Sequence, residues 1–116
     1  MEMIIESLPD GITKVQLAGK MDLAGAQSID MKFNVMSGSN RYVIIDLEKV
    51  SFLASMGIRT LIVGAKTIQA KGGRMVLLSP SEEVENVLIG SGITTMIPIA
   101  KDESTAIGLL KTVQQS

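Results

Sequence analysis

The sequence predicts an α/β fold: a mixed, mostly parallel β-sheet with an N-terminal hairpin and about four helices. Two apolar runs near the start, within residues 3–8 and 12–18, flank Pro9-Asp10-Gly11, where proline favours a turn and glycine tolerates positive φ. Beyond this hairpin, short β-branched runs alternate with segments of helical periodicity. Since such alternation implies crossover connections, most of the later strands should pair in parallel.

The composition indicates one packed domain covering residues 1–116. With 46% hydrophobic and 20% charged residues, the chain can bury a core, and it contains no internal repeat or linker. Cysteine and histidine are both absent, which excludes disulfides, thiolate chemistry, and metal sites or general bases that use histidine. We therefore expect a protein that is not an enzyme and that binds neither a metal nor a cofactor.

The sequence has no feature typical of a membrane or nucleic-acid partner. Its start lacks the basic and apolar segments of an export signal, and its apolar runs are too short to span a bilayer. A net charge of −1 and three aromatic side chains, Phe33, Tyr42 and Phe52, provide neither a basic patch nor a base-stacking platform. We expect a cytoplasmic protein.

The first helix should begin after Asp22, a residue type that favours the N-cap position, and end within residues 37–40. Its apolar residues recur at helical spacing: Leu23, Ala26, Ile29, Phe33 and Met36. The β-branched run at residues 42–45 predicts a strand buried on both faces, and therefore central in the sheet. A loop should follow at residues 48–50.

A second helix is predicted from Ser55 to Ala70. Its core-facing stripe contains Ile58, Leu61, Ile62, Ala65 and Ile68. Gly72 and Gly73 should close its C-terminal end, and a buried strand at residues 75–78 should follow.

The last third of the chain predicts two more helices and an edge strand. Ser81 should cap the third helix, which ends at Gly90 or Gly92, and residues 96–99 form a strand that its proline places at a sheet edge. Ser104 should open the fourth helix. The residues expected to point inward from these two helices are Val84, Val87, Leu88, Ile107, Leu110 and Val113.

The segment that says most about function is DLEKVSFLASMGIRTL at residues 46–61. Ser55 lies at the predicted N-cap of the second helix, where a serine ordinarily accepts a hydrogen bond from a following amide. The free amides and the positive end of the helix dipole can also hold a phosphate, and Gly57 would leave room for a partner's active site. From the residues alone, capping and phosphorylation of Ser55 both stay open.

The same segment resembles the signature of the anti-sigma-factor antagonist (STAS) family, D-L-x-x-V-x-F-[IM]-D-S-[ST]-G-[LI]-x-x-L. Ser55 falls on the phosphorylated serine of that signature. Residues 19–24 resemble the family's turn before the first helix, and the chain follows the family's later pattern at residues 72–77, 84–93 and 98–99. The resemblance therefore covers nearly the whole chain.

This resemblance implies a regulatory binding protein. Its unphosphorylated form would bind an anti-sigma factor, which in this family doubles as a serine kinase, and so free a sigma factor. Phosphorylation of Ser55 would reverse the binding, and a metal-dependent serine phosphatase would restore it. The chain departs from the signature at Ala54, where the family usually has aspartate, and at Met56, where it has serine or threonine. The alternative is a stand-alone sensing or scaffold module that binds a small ligand or assembles with other regulators.

A second stripe on the second helix predicts a docking surface beside Ser55. Together with Ala54, Ser55 and Gly57, its small or soft residues form the predicted partner-binding set: Met56, Thr60, Val63, Gly64 and Thr67. The competing interpretation is that this stripe packs against a neighbouring helix. Gly64→Ala separates the two, because it should stabilise a solvent-facing helix and destabilise a packed one.

Two aspartates are predicted to support the segment around Ser55. Asp22 should cap the first helix, and Asp46 should accept hydrogen bonds from loop amides. A magnesium site like that of receiver domains would need adjacent acids after the first strand, where the chain has Glu6-Ser7-Leu8 instead. We therefore predict that neither aspartate is a metal ligand.

Overall fold

A computed structural model describes residues 1–115 of the chain, with side-chain burial given as far as Thr112. Within that range the elements are β1 (Glu2–Ser7), β2 (Ile12–Met21), α1 (Leu23–Ser39), β3 (Tyr42–Leu53), α2 (Ser55–Ala70), β4 (Arg74–Leu78), α3 (Glu82–Ser91), β5 (Ile99–Ala100) and α4 (Glu103–Gln115). Short 3-10 turns lie at Pro9–Gly11 and Ile93–Thr95.

The sheet has the predicted mixed topology. Across the described residues its strand order is β1-β2-β3-β4-β5, with β1 antiparallel to β2 and every other neighbouring pair parallel. The hairpin turn between β1 and β2 places Asp10 at φ 65° and Gly11 at φ 73°, so the glycine supplies positive φ as expected. The predicted fold class is confirmed.

Helices cover both faces of the sheet, which divides the core in two. In β3, Val43 and Ile45 join the larger core with buried residues of α1, α2 and α3, whereas Ile44 joins a smaller core with Ala106 and Leu110 of α4. This alternation follows from the two-residue period of a strand. The prediction that residues 42–45 form a central strand buried on both faces is confirmed.

Strand β3 is much longer than predicted, and the loop expected at residues 48–50 is wrong. Beyond Asp46 the strand continues to pair with β2, through Ala18↔Lys49 to Met21↔Leu53, with two register shifts along the way. Its pairing with β4 ends at Asp46. After Asp46, β3 has only β2 as a strand neighbour among the described residues and carries polar residues on its open side. It therefore lacks the continuous apolar run of residues 42–45.

The helix boundaries follow the predicted caps with two exceptions. Helix α2 spans the predicted residues, and Gly72, at φ 82°, follows its end, while α3 is capped by Ser81 and stops at Gly92. One exception is Ser55, described below. The other is Ser104, which lies inside α4, because the carboxylate of Asp102 accepts a hydrogen bond from the amide of Thr105 at 2.7 Å.

Several predictions of inward-facing residues are corrected. Leu23 is 53% exposed and Val87 is 40% exposed, because each lies at the margin of its helix's buried stripe. Leu110 is buried and Ile107 partly so, while the side chain of Val113 lies outside the described residues. The last strand lies at the sheet edge as predicted, but it spans Ile99–Ala100 instead of residues 96–99, because the amides of Met96 and Ile97 donate to the carbonyl oxygen of Ile93. In the described part of the chain, no helix has the length and apolar character to cross a bilayer.

Candidate functional site

The long strand β3 leads directly to the start of α2. Leu53, the last strand residue, is buried, and Ala54 follows with an extended backbone, at φ −116° and ψ 178°. The amide of Ala54 donates to the carbonyl oxygen of Met21 at 3.1 Å, and its own carbonyl oxygen accepts from the amide of Ile58 at 3.1 Å. These backbone bonds fix where the helix begins.

Ser55 is therefore the first residue of α2, and its predicted position as the N-cap is wrong. Ala54 occupies the cap position, and within residues 1–115 no side-chain hydrogen bond caps this helix end. The side chain that ordinarily accepts a hydrogen bond from the free amides is that of the N-cap residue, and here that residue is an alanine. Ser55 is exposed, and its hydroxyl forms no hydrogen bond with any of the described residues.

Gly57 is buried and does not make room for a partner. A Cβ atom at this position would lie 2.7 Å from Leu53 Cδ1, 2.7 Å from Met21 Cγ and 2.8 Å from the carbonyl oxygen of Met21. The first turn of α2 thus packs directly on the ends of β2 and β3. The glycine serves this close approach, which corrects its place in the predicted partner-binding set.

Gly64 is also buried, so its predicted position on a solvent-facing surface is wrong. Its Cβ would lie 2.5 Å from Phe33 Cε1, 2.9 Å from Ser37 Oγ and 3.4 Å from Met75 Cε. Phe33 and Ser37 belong to α1, which packs against α2 at this point. The glycine allows the two helices to approach each other closely.

The other members of the predicted stripe do reach the surface. Val63 is 45% exposed and Thr67 is exposed, while Met56 and Thr60 are partly buried. Each threonine hydroxyl donates to the carbonyl oxygen four residues earlier, Thr60 to Met56 and Thr67 to Val63, both at 3.0 Å. Since these hydroxyl protons are already used, the stripe presents a weakly polar surface.

A groove of about 400 Å³ separates this stripe from α1. We call it the α1–α2 groove, and its lining residues are Ala26, Gln27, Asp30, Asn34, Met56, Arg59, Thr60 and Val63. The sequence revealed the α2 side of this groove but not the α1 side. Gln27, Asp30 and Asn34 form a polar helical face, and such a face indicates solvent exposure without indicating which neighbouring helix it meets.

A second, smaller cleft of about 150 Å³ lies between the end of β3 and α3. It is lined by Ser51, Phe52, Leu53, Glu83, Val84 and Val87. Phe52 is 50% exposed, and with Val87 it leaves apolar surface close to Ser55. The serine thus follows a strand end that is flanked by clefts on two sides.

Comparison with known proteins now assigns the family. A profile of the STAS domain matches residues 7–106, which is most of the chain. The chain belongs to the STAS domain family.

Named relatives of this STAS domain share one description. The anti-sigma F factor antagonist of Paenibacillus polymyxa is 25% identical over 105 residues, covering 89% of this chain and 90% of the relative. That of Lysinibacillus sphaericus is 28% identical over 91 residues, covering 77% and 78% of the two chains.

Solved structures agree on the fold. The unphosphorylated form of the anti-sigma factor antagonist SpoIIAA superposes with a TM-score of 0.72 at 21% identity, covering 95% of this chain and 98% of that one. The phosphorylated form of SpoIIAA, a Bacillus cell fate determinant, gives 0.70 at 23% identity, covering 93% and 99%. At such identities the likeness establishes the STAS fold alone.

Asp22 and Asp46, the two aspartates predicted to support the segment around Ser55, lie in different parts of this STAS domain. Asp22 caps α1, its Oδ1 accepting from the amide of Gly25 at 2.8 Å, and it follows the Met21 carbonyl that holds Ala54. Asp46 accepts from the amide of Glu48 at 3.0 Å, within β3 rather than in a loop. Leu53 is the seventh residue after Asp46 along the strand, or roughly 20 Å away. Asp22 therefore lies near Ser55, whereas Asp46 does not.

Asp46 belongs instead to a charged cluster on the α4 side of the sheet. Lys14 Nζ lies 2.7 Å from Glu103 Oε1 and 3.9 Å from Asp46 Oδ2. The hydrogen bond that Lys14 donates to Glu103 raises the pKa of Lys14, and although burial lowers it, the negative charges of Glu103, Asp46 and Glu6 add to the increase. This cluster joins the start of α4 to β2 and β3. It lies away from the end of β3 that precedes Ser55.

Proposed function

We propose that this STAS domain is an anti-sigma factor antagonist, whose unphosphorylated form binds an anti-sigma factor and thereby frees a sigma factor. The observation that carries the proposal is the exposed, non-capping hydroxyl of Ser55 beside the α1–α2 groove. The relatives from Paenibacillus polymyxa and Lysinibacillus sphaericus, both named anti-sigma F factor antagonists, support it.

Ser55 is the proposed phosphoacceptor, and the anti-sigma factor is the proposed serine kinase. The hydroxyl oxygen attacks the γ-phosphorus of ATP on the kinase, the bond from that phosphorus to the β,γ-bridging oxygen breaks, and ADP leaves. The hydroxyl proton passes to a base on the kinase. This chain, which has no histidine or cysteine, supplies the acceptor and acts as a substrate, not an enzyme. A metal-dependent serine phosphatase would restore the hydroxyl by hydrolysis.

The proposed docking surface consists of Ser55 and the exposed side of α2, together with the polar face of α1 across the groove. Phosphorylation adds about −1.5 to −2 charges at neutral pH to the edge of this surface. Met56, Thr60 and Val63 next to it carry no charge, and the single positive charge of Arg59 in the groove cannot offset the whole charge of a phosphate dianion. Burying the added charge in an interface would therefore be unfavourable, which weakens partner binding.

The two departures from the family signature fit this proposal. Ala54 places a methyl group where an acid is usual, so a carboxylate that would repel the phosphate is missing. Met56 lines the groove, where its flexible side chain adds apolar contact area. We therefore propose that the phosphate switch is kept and that the partner contact is altered.

The test is to incubate the protein with ATP and the anti-sigma factor kinase of its own organism, and to map phosphate by mass spectrometry. We expect one phosphate, on Ser55, and none on Ser51, which is also exposed. Ser51→Ala should be modified normally, whereas Ser55→Ala should remain unmodified. Phosphate on another residue with Ser55 unmodified would contradict the proposal. No phosphate on any residue would also contradict it and would favour the sensing or scaffold alternative.

A further inference from the structure

Arg59 lies one helical turn after Ser55 on α2 and is exposed. Side chains four residues apart share one face of a helix, with Cβ atoms about 5–6 Å apart. The long guanidinium side chain of Arg59 can therefore reach groups attached to the Ser55 oxygen. None of the ion pairs formed within residues 1–115 includes Arg59.

Among the described residues, no acidic side chain near Arg59 competes strongly with a phosphate for it. The first turn of α2 contains no acidic residue among the positions described. Across the α1–α2 groove, Asp30 lines the opposite wall but does not approach Arg59 closely enough to form an ion pair. Other charged residues in the elements around this helix end include Lys20 at the end of β2, Asp22 at the start of α1 and Glu83 on α3, and none of them forms an ion pair with Arg59 among the described residues.

We infer that Arg59 binds the phosphate carried by Ser55, as an ion pair within one helix. The inference rests on the proposed function, since it requires phosphate at Ser55. An anion four residues before a cation is the favoured order in a helix, and the planar guanidinium group matches phosphate oxygens with two parallel hydrogen bonds.

This ion pair would give phosphorylation a second effect on the docking surface. Of the residues that line the α1–α2 groove, Arg59 carries the positive charge and Asp30 the negative one. When Arg59 turns towards the phosphate, its charge is neutralised and Asp30 is left without a counter-charge in the groove. One modification therefore changes the electrostatics of the surface in two places, at the serine and in the groove.

The test uses protein in which phosphoserine is installed at position 55 during translation, so that no kinase is needed. A phosphorus NMR titration then measures the second pKa of the phosphate, which is about 6 for an unperturbed phosphoserine. Arg59→Gln should raise this pKa by about 0.3 unit or more, because the pairing favours the dianion. The increase should shrink in high salt.

Lys66→Gln is the matched control, because it removes one positive charge from an exposed position of the same helix. Lys66 lies eleven residues after Ser55, or roughly 16 Å along the helix axis, so its loss should change the phosphate pKa much less. Equal phosphate pKa values in the Arg59→Gln and Lys66→Gln proteins would overturn the inference. Thermal melts of both unphosphorylated variants establish that each is folded.

The result of this pKa titration does not depend on the result of the kinase assay that tests the proposed function. If a kinase modifies Ser55 and the two variants have equal phosphate pKa values, the pairing with Arg59 is wrong and the phosphoacceptor role stands. If Arg59→Gln raises the pKa but no kinase modifies Ser55, the ion pair is real and the regulatory role fails.

Discussion

The serines at the starts of α2 and α3 differ in what their hydroxyl groups do. Ser81 caps α3, its Oγ accepting a hydrogen bond from the amide of Val84 at 3.3 Å. Ser55 lies one position further into its helix and, among the described residues, makes no such bond. A hydroxyl that does not hold the helix together can be modified without unfolding it.

Ser55→Ala should accordingly leave the free energy of unfolding nearly unchanged. Ser81→Ala, the matched control, should lower it by about 1 kcal/mol, because an N-cap hydrogen bond is lost. Urea denaturation of the two variants and the wild type measures the difference. A loss in Ser55→Ala as large as that in Ser81→Ala would mean that the Ser55 hydroxyl is a cap after all.

Gly64→Ala should lower the free energy of unfolding by about 1–3 kcal/mol, because the added methyl group would overlap Phe33 and Ser37. Gly108→Ala in α4 is the control, since a Cβ there meets nothing within 4 Å. That substitution should stabilise the protein by about 0.5–1 kcal/mol through helix propensity. Thermal melts compare the two, and stabilisation by Gly64→Ala would refute the close packing of α1 on α2.

These residues show how far sequence reasoning extends at this scale. The caps Asp22 and Ser81 were predictable, because a cap acts through amides only three residues away. The burial of Gly64 was not, because it depends on Phe33 and Ser37 of another helix. A helix presents similar small residues to solvent and to a close neighbour, and only the neighbour's position distinguishes the two.

At the scale of elements, strands buried on both faces were predictable and the extension of β3 was not. Residues 42–45 are flanked by β2 and β4 and covered by helices on both sides, which requires continuous apolar character. The part of β3 after Asp46 pairs with β2 and has polar residues on its open side, so it resembles a loop. This extension sets the position of Ser55, because it carries the chain to the edge where α2 begins.

Glu103→Gln tests how α4 is attached to the sheet. The pKa of Lys14 is raised in the folded state, so its contribution to stability is present below the ordinary value of 10.5 and is lost as the pH rises through the folded-state value. Glu103 is partly exposed, so its neutralisation should lower the free energy of unfolding by at most about 1 kcal/mol at neutral pH. The loss should shrink above pH 10.5 and in high salt.

Glu82→Gln is the control for this comparison, since Glu82 also begins a helix but, in residues 1–115, belongs to no ion pair. Both substitutions lose a favourable charge at a helix N-terminus, and only Glu103→Gln removes the contact with Lys14. Urea denaturation at several pH values separates the two effects. Identical pH profiles for the two variants would show that the contact with Lys14 contributes nothing.

At the scale of the whole molecule, the proposed docking surface lies at the end of the sheet where β2 and β3 finish. Strands β2 and β3 end side by side there, and α1 and α2 both begin directly after them. The sequence predicted the α2 half of this surface through Met56, Thr60 and Val63. It missed the α1 half, because the α1–α2 groove exists only once the two helices pack together.

Val63→Asp should weaken binding to the anti-sigma factor at least tenfold, because it places an unpaired charge in the proposed interface. Ile4→Asp is the matched control: Ile4 is also exposed, at 56% against 45% for Val63, but lies on the α4 side of the sheet, beside Lys14 and Gln16. It should leave the affinity unchanged. Calorimetric titration of both variants checks this, and an equal loss in both would place the docking surface elsewhere.

The most direct test of the account compares the affinity of the anti-sigma factor for the unmodified protein and for protein carrying phosphate on Ser55. The account predicts tight binding of the unmodified form and at least a hundredfold weaker binding of the phosphorylated form, a difference of about 2.7 kcal/mol. Circular dichroism should show the same folded structure in both, since the Ser55 hydroxyl does not support the helix. Equal affinities for the two folded proteins would contradict the central claim that phosphate on Ser55 controls partner binding.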